Sequence, residues 1–126
     1  ETLISTLEAV KNSYNSYTMD SLALAVGEAS IRDEAYFRET CRKVAATRDR
    51  AADELRALGF EVTPSLANFL FATHPKKAAP EIFSALRGKG IFIRYFKLPR
   101  IDNHLRITVG TDEQMDALIA ALKQIL

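Results

Sequence analysis

The chain is 126 residues long with 48% apolar side chains, enough for one compact domain with one core and too few for two domains that each bury their own. Seventeen Lys and Arg against sixteen Asp and Glu leave a formal net charge of +1 and a pI near 8.1, which argues against a role resting on an overall positive field, such as nonspecific binding of nucleic acid. Cys41 is the single cysteine, so an internal disulfide and a thiolate-rich metal cluster are excluded and a reducing, cytoplasmic setting is expected.

The chain enters helical patterning at once, with Leu3, Ile4, Leu7 and Val10 at helical spacing, then breaks at the polar cluster Asn12 to Ser16. Thr18 or Asp20 can cap a second helix running to Gly27, and Leu22, Leu24, Ala25 and Val26 predict that it is buried on most sides. Asp33 and Glu34 suit a helix N-terminus, and the absence of Gly and Pro before Gly59 predicts one long helix. Its inward stripe is predicted as Phe37, Cys41, Val44, Arg48, Ala51, Leu55 and Leu58, which makes Cys41 an inert core thiol. Arg48 interrupts the stripe and is expected to pack its stem and pair its head near the sheet. Gly59 is the expected stop.

Phe60 to Thr63 alternates as a short strand, Pro64-Ser65 turns, and Asn68 to Thr73 is an aromatic-rich second strand. A loop from His74 to Pro80 precedes a helix with the stripe Ile82, Phe83, Leu86, closed by Gly88 and Gly90. Ile91 to Arg94 is expected as a buried strand, and a polar excursion through Lys97, Pro99, Arg100 and Asp102 leads to a fourth strand, His104 to Val109. Thr111-Asp112-Glu113 opens the last helix, with Met115, Leu118, Ile119, Leu122 and Leu126 inward. The order predicts an α+β fold: a small antiparallel or mixed sheet of about four strands, covered on one face by helices and bare on the other.

No window nears the run of roughly eighteen apolar residues that a membrane span needs, and the opening ETLIS lacks a signal-peptide layout, so no membrane partner is expected. No phosphate loop, HExxH, GxSxG, EF-hand pattern or paired Cys/His spacing occurs, so no metal site is expected. His74 and His104 read as ordinary surface imidazoles. Arg94 ends the apolar run IFIR, and Arg106 shares a strand face with His104 and Thr108. Two readings stand side by side. The arginines snorkel to the sheet edge or pair with Asp102 or a helix carboxylate; or the intervening excursion folds back, the two guanidinium groups converge, and they form a clamp for phosphate or carboxylate. The run Arg94 to Arg100 also interleaves cations with aromatics as single-strand nucleic-acid surfaces do, but it is short and the net charge is near zero, so no nucleic-acid partner is expected.

The runs TRDRAADELRALGFEVTPSLANFLFA (Thr47 to Ala72) and GIFIRYFKLPRIDNHLRITVGT (Gly90 to Thr111) resemble the C-terminal part of histidinol-phosphate aminotransferases. NSYNSYTMD (Asn12 to Asp20) is similar to the segment that follows that family's cofactor-lysine region. The resemblance implies a homodimeric, pyridoxal 5′-phosphate-dependent enzyme of fold type I, transferring an amino group between histidinol phosphate and 2-oxoglutarate, with glutamate as the amino-acid partner, in histidine biosynthesis. It implies that Arg106 holds the substrate carboxylate or phosphate, that Arg94 is the second arginine of that site, and that Asn15 and Asn68 lie at the active-site rim. Turn or strand-end amide bonds are the other reading of those two asparagines.

The family's Schiff-base lysine motif, the acidic partner of the pyridinium nitrogen and the ring-stacking aromatic have no counterpart in this sequence. The expectation is therefore a single C-terminal small domain over 1–126, with 1–30 as a helical connection from a missing large domain. Such a fragment has no catalytic residue of its own, anchors no cofactor, is inactive alone and exposes apolar surface that favours self-association. Beginning at Glu1 rather than Met fits this. Competing readings are a threonine-phosphate decarboxylase or aromatic aminotransferase domain and, from another class, a stand-alone anion-sensing α+β interaction module.

Overall fold

The computed structural model describes residues 2–15 and 17–126; Glu1 and Ser16, the latter closing the predicted break after the first helix, lie outside the described residues. The chain divides into two compact units, one ending at Arg38 and one running from Glu39 to Leu126. Every buried residue among those described belongs to the second, which therefore holds the one core that the length allows.

The first unit contains helix α1 (Thr2–Asn15), helix α2 (Ser21–Arg32) and the start of helix α3 (Glu34–Ala57). Of the two candidate caps it is Asp20 that starts α2, its carboxylate accepting the Ala23 N–H at 2.8 Å. Exposed ion pairs at i,i+4 spacing, Glu28–Arg32 and Glu34–Arg38, brace the helices. The predicted burial of α2 is not observed: Leu22, Leu24 and Val26 are all exposed, and neither α1 nor α2 contains a buried residue. Phe37 is 61% exposed and Cys41 is an exposed free thiol rather than a core residue. The stripe is present at the predicted spacing, but a stripe is buried only where a second apolar surface meets it; among the described residues none buries Phe37 within the first unit, nor Cys41 near the start of the second.

The second unit is the predicted two-layer solution. Strands β1 (Glu61–Val62), β2 (Phe69–Thr73), β3 (Arg94–Tyr95) and β4 (Leu105–Thr108) form one antiparallel sheet in the order β1-β2-β4-β3. Helices α4 (Ala79–Gly88) and α5 (Asp112–Ile125) join the back of α3 in covering it. Leu70 and Ala72 of β2 and Leu105 and Ile107 of β4 point into this layer, where they meet Ala51, Leu55, Ile82, Leu86, Leu118 and Leu122. Each fully buried leucine or isoleucine contributes about 1.5–3 kcal/mol relative to exposure. The strand expected over Ile91 to Arg94 pairs only at Arg94–Tyr95; Ile91 to Ile93 are outside the ladder, and Phe92, expected buried, is 78% exposed.

Local chemistry fixes the joints. At the end of α3 Gly59 takes φ +90°, which lets the Phe60 N–H return to the Leu55 carbonyl at 3.0 Å. Gly90, at φ +77°, does the same after α4, with Ile91 bonding back to Leu86. Thr111 and Gln114 form a reciprocal capping box at the start of α5. Arg50 ties α3 to that start, donating to Asp112 at 2.9 Å, to Asp116 at 2.7 Å and to Glu54 at 2.8 Å, while the Thr47 hydroxyl donates to Asp112 at 2.8 Å.

The Arg50 guanidinium, and then the Thr47 hydroxyl, hold the Asp112 carboxyl below the usual aspartate range. A folded-state pKa below the unfolded value gives a contribution that is complete above the unfolded pKa, about 3.9, and lost as pH falls through the folded value. Asp112→Asn should therefore lower stability at neutral pH and change it little at about pH 2. Urea unfolding at both pH values checks this; a penalty undiminished in acid would show that the carboxylate is not its source.

Candidate functional site

Strand alternation sorts the sheet into two faces. With Leu105 and Ile107 turned to the helices, β4 presents Arg106 and Thr108 on the bare face, and Phe69 and Phe71 of β2 join them there through the pairs Phe69↔Thr108 and Phe71↔Arg106. Arg94 of β3 stands directly opposite Arg106 in the antiparallel register. The same alternation sends Tyr95 inward, its ring 5.8 Å from that of Phe83 on α4, and brings Phe96 back to the arginine side.

The two predicted arginines are thus cross-strand neighbours on one face, with Cβ atoms about 4.5–5.5 Å apart by the geometry of such pairs. The excursion between them does fold back: Ile101 N–H bonds to the Leu98 carbonyl and His104 N–H to the Ile101 carbonyl. Asn103 then anchors the loop, accepting the Ala79 N–H at 2.9 Å and donating to the Thr73 hydroxyl at 3.1 Å. Among the described residues, neither Arg94 nor Arg106 has a carboxylate within ion-pair distance, Asp102 included. Their contacts are aromatic. The Arg106 guanidinium carbon lies 5.6 Å from the Phe69 ring centre and 5.7 Å from that of Phe96, and Arg94 lies 5.4 Å from Phe96.

Two buried side-chain polar atoms of the described residues lack a hydrogen-bond partner: Nε of Arg106 and Nδ1 of His104. Both belong to β4 or its lead-in, on the bare face. His104 is not the plain surface imidazole that the sequence suggests, since its ring stacks on Phe71 with centres 4.7 Å apart and planes within 10°. A buried polar atom left without a partner costs about 1–3 kcal/mol, so two such atoms on one face of the sheet mark a place where further polar atoms belong. An anion with several acceptor oxygens fits the donors that a pair of guanidinium groups presents.

The other predicted positions fall elsewhere. Asn68 precedes β2, is exposed, and uses its backbone carbonyl to accept the Val109 N–H at 2.9 Å. Asn15 ends α1 of the first unit and is exposed. His74 is 8% exposed rather than superficial, edge-on to Phe60 with ring centres 5.0 Å apart and accepting the Lys76 N–H through Nδ1. Arg48 is buried as expected, paired with Asp49 at 2.8 Å. Phe69 and Phe71 have no site role in the sequence analysis, and Phe96 stands there only within the run Arg94 to Arg100, although the alternate spacing of Phe96 with Arg94 carries the signal. Among the described residues no group of three or more His, Cys, Asp or Glu side chains could hold a metal ion, and no helix is long and apolar enough to cross a membrane.

The family described as "Aminotransferase class I and II" matches residues 1–122. The chain is 55% identical over 123 residues to histidinol-phosphate aminotransferase 2 of Dechloromonas aromatica, covering 98% of this chain and 35% of that protein. It is 53% identical over 123 residues to the histidinol-phosphate aminotransferase of Marinomonas sp., covering 96% and 35%. Its fold is similar to that of the histidinol-phosphate aminotransferase of Sinorhizobium meliloti crystallised in complex with pyridoxal-5′-phosphate, with a TM-score of 0.80 at 30% identity, over 96% of this chain and 34% of that one. The chain spans about a third of the length of these relatives.

Proposed function

This chain belongs to the class I and II aminotransferase family, and from that premise we propose that it is the substrate-anion wall of an enzyme moving an amino group between histidinol phosphate and 2-oxoglutarate. In this reading residues 1–126 are the C-terminal small domain, with 1–30 a helical connection, and the working enzyme is a cytoplasmic homodimer serving histidine biosynthesis. The observation that carries the proposal is the pair Arg94↔Arg106, facing one another on the bare side of the sheet with no carboxylate between them. One partner substrate carries a phosphate ester and the other carboxylates. A planar guanidinium presents two parallel N–H groups that fit either anion, so one site can serve both halves of the exchange. Asn68 and Asn15 are the proposed rim positions.

The cofactor we propose for the working enzyme is pyridoxal 5′-phosphate, but the residues of this chain do not fit its anchorage. None of its lysines is buried; Lys77 donates to the Ile125 carbonyl, Lys89 to Gln124 and Lys43 pairs with Glu39. A lysine that holds a carbonyl cofactor needs an enclosed, desolvated setting. The cofactor lysine thus belongs to polypeptide equivalent to the other two thirds of the relatives, and this chain contributes substrate binding.

Two measurements test this. The chain mixed with pyridoxal phosphate should show the spectrum of free cofactor and no amino transfer; a new visible band would overturn the assignment. Fused to the first two thirds of the Dechloromonas aromatica relative, it should restore transfer from histidinol phosphate to 2-oxoglutarate. A folded fusion that instead prefers threonine phosphate or aromatic amino acids would move the assignment to that chemistry.

A further inference from the structure

Phe96 stands out on the bare face, because one ring lies within 6 Å of two guanidinium groups, 5.4 Å from Arg94 and 5.7 Å from Arg106. Like charges directly opposite one another across an antiparallel pair repel and destabilise it. Here the pair Arg94↔Arg106 has that arrangement, and among the described residues no carboxylate offsets it. The electron-rich face of an aromatic ring attracts a cation without supplying a negative charge that would compete with an anionic ligand. A carboxylate in the same place would neutralise the arginines and occupy their donors.

The burial of Phe96 points the same way. It is half-buried, yet it is absent from the hydrophobic core and from the partly buried side chains packed on that core, which include its neighbours Ile93 and Tyr95. Its ring thus lies outside the helical layer, within reach of both arginine side chains. Arg106 has a second aromatic neighbour in Phe69, 5.6 Å away, whereas Phe96 is the single ring in contact with Arg94 among the described residues. Arg94 is also the more exposed of the two, so the ring matters most for holding it beside its partner.

We infer that Phe96 is a positioning residue that gathers Arg94 and Arg106 into one two-cation clamp, tuned to an anion with at least two charges and three oxygens, such as a phosphate monoester, over a simple monocarboxylate. The inference rests on the proposed anion-binding role of the two arginines and adds to it the residue that sets their spacing. A single guanidinium would treat phosphate and acetate alike apart from charge; two held at fixed separation favour the ligand whose oxygens reach both.

The test uses the full chain with isotopically labelled arginine, titrated with inorganic phosphate and separately with acetate while the side-chain Nε–H resonances of Arg94 and Arg106 are followed. Without ligand, both resonances should carry a ring-induced displacement; in Phe96→Leu that of Arg94 should disappear and that of Arg106, which keeps Phe69 beside it, should shrink. Phosphate should move both resonances and acetate should move them less. Phe96→Leu should weaken phosphate binding about five- to tenfold, Phe96→Tyr should restore it to within about twofold, and a ring-fluorinated phenylalanine at 96, equal in shape but stripped of its negative face, should behave like leucine. A purely structural role would be rescued by the fluorinated ring. If Phe96→Leu and the fluorinated ring both keep phosphate affinity while Arg106→Ala abolishes binding, the anion site stands and the role of Phe96 falls. If phosphate leaves both resonances of the unaltered chain unmoved, the anion site itself is overturned and the clamp with it.

Discussion

Arg106→Ala, made in the active fusion, should raise KM for histidinol phosphate and for 2-oxoglutarate together, by roughly 10- to 150-fold, corresponding to loss of a charge-assisted contact of about 1.5–3 kcal/mol. The expectation follows from where Arg106 sits. It is half-buried between Phe69, Phe71 and Phe96, and among the described residues its Nε has no partner and no carboxylate is near enough to neutralise it. A cation in that setting is poorly screened, so its pull on an arriving anion is larger than that of a surface arginine. The contact lies at the anionic tail of the substrate, away from the bonds that change, and the ground state feels it as much as the transition state; kcat should therefore move less than KM. Arg106→Lys should recover part of the loss, because a point charge replaces the planar fork without its paired donors. Arg94→Ala should cost less than Arg106→Ala, since Arg94 is exposed and water screens it. Unchanged kinetics with both substrates in Arg106→Ala would remove the anion wall from the mechanism.

The site was legible in outline because alternation within LRITVG puts Arg106 on the side opposite Leu105 and Ile107, and the burial of those two residues fixes which side is bare. What spacing could not supply is register. Arg94 faces Arg106 because β3 is confined to Arg94–Tyr95 at the edge of the sheet, and a slip of one residue would have turned Arg94 to the helices. The aromatic partners need the register for a related reason: phenylalanine in a strand normally announces core, and Phe69 and Phe71 look like core residues until the pairing shows them on the other face, while Phe96 reads only as one aromatic among the cations of Arg94 to Arg100. His74 and His104 were misplaced because a lone imidazole carries no periodic signal; one is buried against Phe60 and the other stacked on Phe71. Helices α4 and α5 follow their stripes except at Leu126, expected inward and 45% exposed at the chain's end; a capping box opens α5 and a glycine stop follows α4 in the sequence itself.

Helix α3 separates what a sequence stripe can and cannot tell, and a pair of substitutions should divide its length in two. Leu55 has no exposed surface and touches the shared core, so Leu55→Ala should lose about 2–5 kcal/mol through removed contacts and the cavity left behind. Against a stability of about 5–15 kcal/mol for a domain of ordinary size, that is enough to leave much of the population unfolded at moderate denaturant. Phe37 holds an equivalent place on the same predicted stripe yet is 61% exposed, and Phe37→Ala in this chain should change the unfolding free energy by no more than about 0.5 kcal/mol. Helical periodicity reports which side chains are able to be buried together; it is silent about whether the surface that would cover them is present, and that is why Phe37, Cys41 and the α2 residues Leu22, Leu24 and Val26 were expected inside and are found outside. Urea unfolding of the two variants reads the difference directly. Equal and large losses would mean that the front of α3 is covered in solution, and equal and negligible ones would mean that Leu55 is not part of a packed core. In the active fusion the Phe37→Ala penalty should grow if the added polypeptide covers that face, which makes the same substitution a probe of where the rest of the enzyme meets this chain.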